Sequence, residues 1–151
     1  MEIADLEAEA SALVLNKFTE SDALRLGQIL TDMAMADALP VVINIRTPDR
    51  TLFHAALPGS APLNDLWARR KSNVALVFQT SSLLVGLRHR AKGETLAKHG
   101  LDATDHADHG GAVPIRVAGV GMVAVATVSG LPQVEDHKLV VRGLRQMKEM
   151  P

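Results

Sequence analysis

The segment from His99 to Ile115, HGLDATDHADHGGAVPI, concentrates side chains that can bind metals or transfer protons. It contains three of the six histidines and three aspartates, and a Gly-Gly pair precedes an apolar run. His106 and His109 each follow an aspartate, and two imidazoles with a carboxylate are a ligand set for zinc or ferrous iron. Gly110 and Gly111 allow the backbone to approach closely and can present N–H groups to an anionic ligand. The segment therefore predicts either a metal site at His106 and His109 or a polar loop.

A pair of cations interrupts the apolar stripe of a predicted helix in LNDLWARRKSNVALVF. At helical spacing, the positions that connect the two halves of the stripe are Arg70 and Lys71. An unpaired buried charge is costly, so these cations either meet an anion in a cleft or interface or extend outward along their alkyl stems. The apolar members of the predicted stripe are Leu63, Leu66, Trp67, Val74, Val77 and Phe78.

Two further histidines lie on faces that the sequence pattern predicts to be buried. His137 is one turn before Val140 and Val141, so it faces inward at the start of the last helix, where the helix dipole disfavours a charged imidazolium. It could ligate a metal, act as a general base beside Asp136, or make a single structural hydrogen bond. His54, in the strand TLFHAAL, could line a pocket on the sheet or form a hydrogen bond beneath a helix.

The elements that position these residues follow from hydrophobic periodicity and turn signals. Two β-hairpins are predicted, one around Pro48-Asp49 and one around Gly119 and Gly121. Hairpins between helices predict an α+β fold with a central antiparallel sheet covered by helices, in one domain spanning residues 1–151. The predicted order begins with a helix at 3–10 and an apolar stretch at 11–15 that could begin a strand. A helix capped by Thr19 and Asp22 and stopped at Pro40 then precedes the first hairpin. A helical region at 63–90 with a break near QTSS, the second hairpin and a last helix from Pro132 follow.

Composition excludes several classes of function. The net charge of −1 gives no field that attracts nucleic acid or an anionic membrane, and Arg69 to Lys71 is the longest basic cluster. The absence of cysteine excludes disulfides, thiolate metal sites and a cysteine nucleophile. The acidic start of the chain lacks signal-peptide features, and no apolar run could span a bilayer, so we expect a cytoplasmic protein. Aromatic residues make up only 3% of the chain, which favours stabilisation through subunit contacts.

Five blocks of the sequence, in this order, resemble the haem-degrading domain family, a branch of the HbpS-like and GlcG-like group. The resemblance extends from about Phe18 to the last helix, and it implies a profilin-like fold and a homo-oligomer. The family name implies that haem is bound or degraded. The blocks are LFHAALPG, NDLWARRK, SSLLVG, HGGAVPIRVAGVG and VSGLPQVEDH.

The resemblance also implies which residues form the site, and these coincide with the residues already singled out. Two positions depart from the family pattern, because His106 replaces a usual tyrosine and Val113 a usual phenylalanine. The matched residues are His54, Trp67, Arg70, Lys71, His109, Gly110, Gly111, Asp136 and His137.

The sequence is consistent with three functions. The first is a homo-oligomer that binds haem or another small anionic ligand, with Arg70 and Lys71 pairing with its carboxylates. The second is an enzyme that uses a metal or a histidine, His109 or His137, to act on a small carboxylate-bearing or oxo-bearing substrate. The third is a structural or adaptor oligomer. In it, salt bridges between subunits are formed by Arg70, Lys71, Asp136 and His137.

Overall fold

A computed structural model describes residues 1–150 of the chain, in which a four-stranded antiparallel sheet lies between helices. The predicted α+β class is confirmed. The elements are α1 (Ile3–Ala12), α2 (Glu20–Ala36), β1 (Val42–Arg46), β2 (Thr51–Ala56), α3 (Pro62–Phe78), α4 (Ser82–Lys92), a 3-10 turn (Leu96–His99), β3 (Ala112–Val117), β4 (Gly121–Ser129) and α5 (Gln133–Glu149).

Both predicted hairpins are present, and they form the sheet in the order β2-β1-β4-β3. In the first hairpin the N–H of Thr47 donates to the carbonyl of Arg50 at 2.9 Å, which closes the turn around Pro48-Asp49. The apolar stretch at 11–15 differs from its prediction, because α1 continues to Ala12 and Leu15 forms only an isolated bridge to Val117.

The helix boundaries follow local capping chemistry. The hydroxyl of Thr19 accepts from the N–H of Asp22 and the carboxylate of Asp22 accepts from the N–H of Thr19, so the predicted capping box is confirmed. The break near QTSS is also confirmed. Gln79 has a left-handed φ of 52°, and the hydroxyl of Ser81 caps α4.

The sheet face that packs on α2 and α5 is apolar. Ile43 and Ile45 of β1 and Leu30 of α2 are completely buried there. Gly143 lets α5 approach α2 closely, because a Cβ at this position would meet the side chain of Leu30. Burial of this apolar surface is the main stabilising contribution of the fold.

The opposite sheet face packs on α3 and combines a buried apolar cluster around Ala112 and Val125 with buried polar groups. The hydroxyls of Ser72 on α3 and Thr127 on β4 lie 2.8 Å apart, and both residues are fully buried. Asn44 of β1 pairs with Thr127 across the sheet and with His54 on its other side.

The predicted orientation of α3 is wrong in part, because Lys71 and Val74 of the predicted stripe are buried while three of its apolar members are not. Leu63, Leu66 and Val77, assigned to the buried stripe, are 61%, 58% and 55% exposed. Ser72 and Ala75 are buried instead, because α3 presents short side chains to a sheet face that carries both the Thr127 hydroxyl and apolar groups. No helix within residues 1–150 has both the length and the hydropathy needed to cross a membrane.

Candidate functional site

A cavity of about 260 Å³ lies between α3, the loop that precedes β3 and the start of α5. Five of the residues predicted from the sequence line its wall: Trp67, Lys71, His109, Gly110 and Asp136. The structure therefore gathers residues 69 positions apart in the sequence around one cavity.

An ion pair between Lys71 and Asp136 forms the floor of this cavity. The Nζ atom of Lys71 donates to Asp136 Oδ2 at 3.0 Å and to the carbonyls of Gly110 at 3.0 Å and Val128 at 2.8 Å. An ammonium group has three N–H donors, so all of them are used within the chain. Lys71 thus joins α3, β4, α5 and the loop before β3, and no N–H of Lys71 is left for a ligand.

Burial acts on both members of this pair. It lowers the pKa of Lys71 and raises the pKa of Asp136, and in each case the charge of the partner opposes the effect. The backbone N–H groups of Leu131 and Gly130 also donate to Asp136 and favour its charged form. Gly111 is required here, because it has a φ of +138° and a Cβ would contact Lys71 Nζ.

An aromatic and cationic cluster surrounds Trp67 at the cavity. The Cζ atom of Arg70 lies 4.3 Å from the ring centroid of Trp67, within the range of a cation–π contact. The ring of His109 meets Trp67 edge-on, with centroids 5.2 Å apart. Arg70 itself is not in the cavity wall, and its Nε donates to the carbonyl of Ala103 at 3.0 Å.

Arg70 and His109 have unused hydrogen-bonding capacity. No acidic side chain of residues 1–150 pairs with Arg70, whereas its neighbour Arg69 pairs with Asp105.

Neither ring nitrogen of His109 has a hydrogen-bond partner within residues 1–150. Burial lowers the pKa of His109, with nearby cations acting in the same direction and Asp108 opposing them. A neutral imidazole beside a cavity can accept a proton or contact a ligand.

The hydroxyl of Ser129 is another polar group on the cavity wall. Ser129 is 3% exposed, and its hydroxyl has no hydrogen-bond partner within residues 1–150. The N–H of Gly110 is already used, because it donates to Oε1 of Gln133 at 2.9 Å. The sequence pattern indicated Gly110 as an anion-binding N–H, and here that donor instead fixes the loop to α5.

His137 lies away from this cavity, although it follows Asp136 directly. Its Nε2 lies 2.6 Å from Oε1 of Glu9 on α1, and its Nδ1 is buried without a partner in residues 1–150. It contributes to a separate cavity of about 170 Å³ beneath α1. Lys71, Asp136 and His137 all have charged partners within the same chain.

His54 also lies outside the cavity, on the edge strand β2. Its Nε2 is 2.8 Å from Asp65 Oδ1 and its Nδ1 is 3.0 Å from Asn44 Nδ2. With the amide of Asn44 placed to donate to Nδ1, Nε2 is the ring nitrogen placed to donate to Asp65.

The two histidines predicted as metal ligands are not joined by a third ligand. Nδ1 of His106 lies 3.1 Å from the carbonyl of Asp102, while His109 faces Trp67. No group of three or more His, Cys, Asp or Glu side chains in residues 1–150 converges in a way that could hold a metal ion. A metal site at His106 and His109 stays a prediction.

Sequence reasoning missed three polar partners: Glu9, Asn44 and His89. Glu9 lies 128 residues from His137, and Asn44 follows the ordinary alternation of a strand. His89 is in the last turn of α4, where no periodic pattern distinguishes it. Only the three-dimensional arrangement reveals these contacts.

The region that contains this cavity matches a known protein family. Residues 18–145 match the family model described as haem degrading protein HbpS-like. The chain belongs to the HbpS-like family. The match includes the whole cavity and excludes α1, which ends at Ala12.

Curated relatives of this HbpS-like chain are UPF0303 proteins. The chain is 50% identical over 145 residues to one from Streptomyces coelicolor, covering 95% of this chain and 92% of the relative. It is 45% identical over 145 residues to one from Burkholderia thailandensis, covering 95% of this chain and 88% of the relative.

Solved structures share the fold. The crystal structure of the Ybr137w protein aligns with a TM-score of 0.89 and 33% identity, covering 99% of this chain and 88% of that one. The crystal structure of HbpS aligns with a TM-score of 0.69 and 19% identity, covering 87% and 89%. A PduOC–haem complex aligns with a TM-score of 0.67 and 17% identity, covering 87% and 94%. At the lower identities, the likeness to this HbpS-like chain concerns the fold alone.

Proposed function

We propose that this protein is a homo-oligomer that binds a small anionic ligand in the cavity beside Trp67. One observation carries the proposal: beside a 260 Å³ cavity lie a guanidinium with no acidic partner, an imidazole with both ring nitrogens free, and a hydroxyl on the wall without a hydrogen bond to residues 1–150. These groups belong to Arg70, His109 and Ser129. Polar groups that face a cavity and have no such protein partner can bind a ligand in place of water.

The chemistry of the wall selects the class of ligand. A free guanidinium recognises a carboxylate or phosphate through paired hydrogen bonds, and the Trp67 ring offers an apolar surface beside it. Lys71 has no free donor, so in this proposal it shapes the wall and Arg70 supplies the attractive charge. We therefore assign the ligand an anionic group and a flat or apolar body.

Haem is one candidate, supported by the family description and by the haem complex of PduOC. A cavity of 260 Å³ is smaller than the range of about 300–1,000 Å³ that encloses drug-sized ligands. One subunit therefore accommodates a small carboxylate or only the propionate edge of a haem. A complete haem site would need surface from a second subunit.

Self-association is supported by the outer face of α3. Leu63, Leu66 and Val77 are more than half exposed there and lie on one side of the helix. Exposed apolar groups of this kind mark interaction surfaces.

Native mass spectrometry should show a multimer that Leu66→Glu dissociates, while the control Leu24→Glu, at an equally exposed leucine of α2, leaves it intact. A monomeric wild-type protein would contradict this part of the proposal.

The ligand site can be tested through Trp67, because it is the only tryptophan and its fluorescence reports this cavity alone. Haemin and a panel of small mono- and dicarboxylates should be titrated separately into wild-type protein and into Arg70→Ala. We expect saturable quenching that Arg70→Ala weakens by about tenfold or more, the scale of a lost charged hydrogen bond. The control is Arg69→Ala, which removes the same charge one residue away and should change affinity by less than about twofold. Equal losses in both variants would indicate non-specific attraction and contradict the assignment.

A histidine-dependent enzyme is the second candidate, favoured by the lowered pKa of His109. A neutral imidazole beside a carboxylate-binding cavity could remove a proton from the carbon next to that carboxylate. Proton exchange with deuterated water at this carbon, followed by NMR, should then be measurable in wild-type protein and lost in His109→Asn.

A further inference from the structure

We propose that His89 and His99 form a binding site for a transition-metal ion such as Zn²⁺, with Asp108 supporting His89. This site is separate from the cavity beside Trp67 and does not depend on the ligand proposed there. It uses two histidines that the sequence pattern did not associate.

The geometry of the two imidazoles carries the proposal. Nε2 of His89 and Nε2 of His99 face each other at 3.1 Å. Two histidine nitrogens on one tetrahedral zinc are about 3.3 Å apart, given Zn–N distances of about 2.0–2.1 Å. The ion replaces the hydrogen bond between these nitrogens: the His99 ring turns so that both lone pairs meet at the ion, and the proton on its Nε2 moves to Nδ1. His99 can make this movement, because it is exposed and ends a short 3-10 turn at Gly100.

A carboxylate behind one imidazole prepares it for a metal. Oδ2 of Asp108 lies 2.8 Å from Nδ1 of His89. The carboxylate holds the ring proton on Nδ1, which leaves the lone pair of Nε2 directed at His99. The same carboxylate–imidazole arrangement orients histidine ligands in metal sites generally.

The surroundings define the type of ion. His89 is 5% exposed, and both imidazole rings contact Phe78 in T-shaped arrangements with centroid distances of 5.7 and 5.2 Å. Imidazole nitrogen favours zinc, copper or nickel over calcium and magnesium, which prefer oxygen. The absence of a third protein ligand within residues 1–150 means that solvent completes the coordination on the exposed side of His99.

The ion would also fix the loop that carries a cavity residue. His99 lies at the start of this loop, and Asp108 directly precedes His109 near its end. A metal that holds His89, His99 and Asp108 together would therefore restrict where the ring of His109 can lie.

Calorimetric titration of chelator-treated protein with Zn²⁺ alone tests this site. We expect one saturable ion per subunit in wild-type protein and at least a tenfold loss of affinity in His99→Ala. Asp108→Asn should lose about 10–100-fold, the usual effect of removing a carboxylate behind a histidine ligand. The matched control is His106→Ala, in the same loop, which should stay within about twofold of wild type.

Two results would overturn the proposal. One is the absence of saturable Zn²⁺ binding to wild-type protein. The other is undiminished affinity in His99→Ala, particularly if His106→Ala abolishes binding, which would move the ion to His106 and His109. His99 is exposed, so its replacement should preserve the fold, and a circular-dichroism melt without metal checks this. Fluorescence titrations of Trp67 in chelator-treated protein test the cavity ligand separately from this site.

Discussion

The two faces of the central sheet are stabilised by different interactions. The face covered by α2 and α5 is an apolar core in which Leu26, Leu30 and Ile43 are fully excluded from solvent. The face covered by α3 contains a buried ion pair, Lys71 with Asp136, and a buried hydroxyl pair, Ser72 with Thr127.

The difference shows where this fold places its candidate site. Apolar packing tolerates substitutions that conserve volume, whereas a buried polar network needs every donor and acceptor to be satisfied. The cavity beside Trp67 lies at the end of the polar layer, where Lys71 and Asp136 meet Ser129 and His109. The polar face thus serves both stability and the proposed ligand site, and each face predicts a distinct response to mutation.

The largest effect should come from breaking the ion pair. Lys71→Met leaves the carboxylate of Asp136 buried without its cation, so the free energy of unfolding should fall by about 3–5 kcal/mol. Urea denaturation followed by circular dichroism measures the change. The double variant Lys71→Met/Asp136→Asn removes both charges and should be more stable than the single variant. Additive losses in the double variant would show that the two charges do not act as a pair.

The apolar face should respond next. Leu30→Ala removes a fully buried side chain that packs against Gly143, with an expected loss of about 2–5 kcal/mol in the free energy of unfolding. Unlike Lys71→Met, it should leave the ligand affinity reported by Trp67 unchanged. A loss of affinity comparable to that of Arg70→Ala would show that the two faces are not independent.

The smallest of the three effects is expected at the buried hydroxyls. The hydroxyl of Ser72 donates its proton to the carbonyl of Ala68, so the hydroxyl of Thr127 is the donor in the Ser72–Thr127 pair. Ser72→Ala leaves that donor without an acceptor, and the free energy of unfolding should fall by about 1–3 kcal/mol. Adding Thr127→Val removes the orphaned hydroxyl and should recover part of this loss in thermal denaturation. If Ser72→Ala is as stable as wild type, the polar layer contributes less than proposed.

The apolar face could be predicted from the sequence because its signals are local. The periodicity of α2, the Thr19–Asp22 capping box and the two hairpin turns each depend on residues a few positions apart. These signals agree with one another, so the order of the elements followed from the sequence.

The orientation of α3 could not be predicted by the same reasoning. Hydrophobic periodicity assumes a uniformly apolar partner, and here the sheet offers Thr127 and Ser129 next to the apolar Val125. The interruption by Arg70 and Lys71 was the useful signal, because a cation on a buried face requires an anion nearby. The sequence indicated Lys71 and Asp136 separately, but their pairing across 65 residues depends on the tertiary fold.

The separation of His137 from the cavity was also beyond sequence reasoning. Asp136 and His137 are neighbours in the chain, yet consecutive residues of a helix point in directions about 100° apart. Asp136 therefore reaches Lys71, while His137 reaches Glu9 on α1. The inward direction predicted for His137 agrees with its burial, and its partner comes from a helix that precedes the family match.

The central claim is that the cavity recognises an anionic group through Arg70 and His109. The most direct measurement is the affinity for a small carboxylate between pH 5.5 and 8, read from Trp67 fluorescence in wild type and His109→Asn. Burial places the pKa of His109 below its ordinary 6.5, and a bound anion raises it. Binding then takes up a proton, so wild-type affinity should rise as pH falls through this range, by up to about tenfold per pH unit, and His109→Asn should show no such rise. An affinity that falls with decreasing pH, or the same rise in both proteins, would contradict the account.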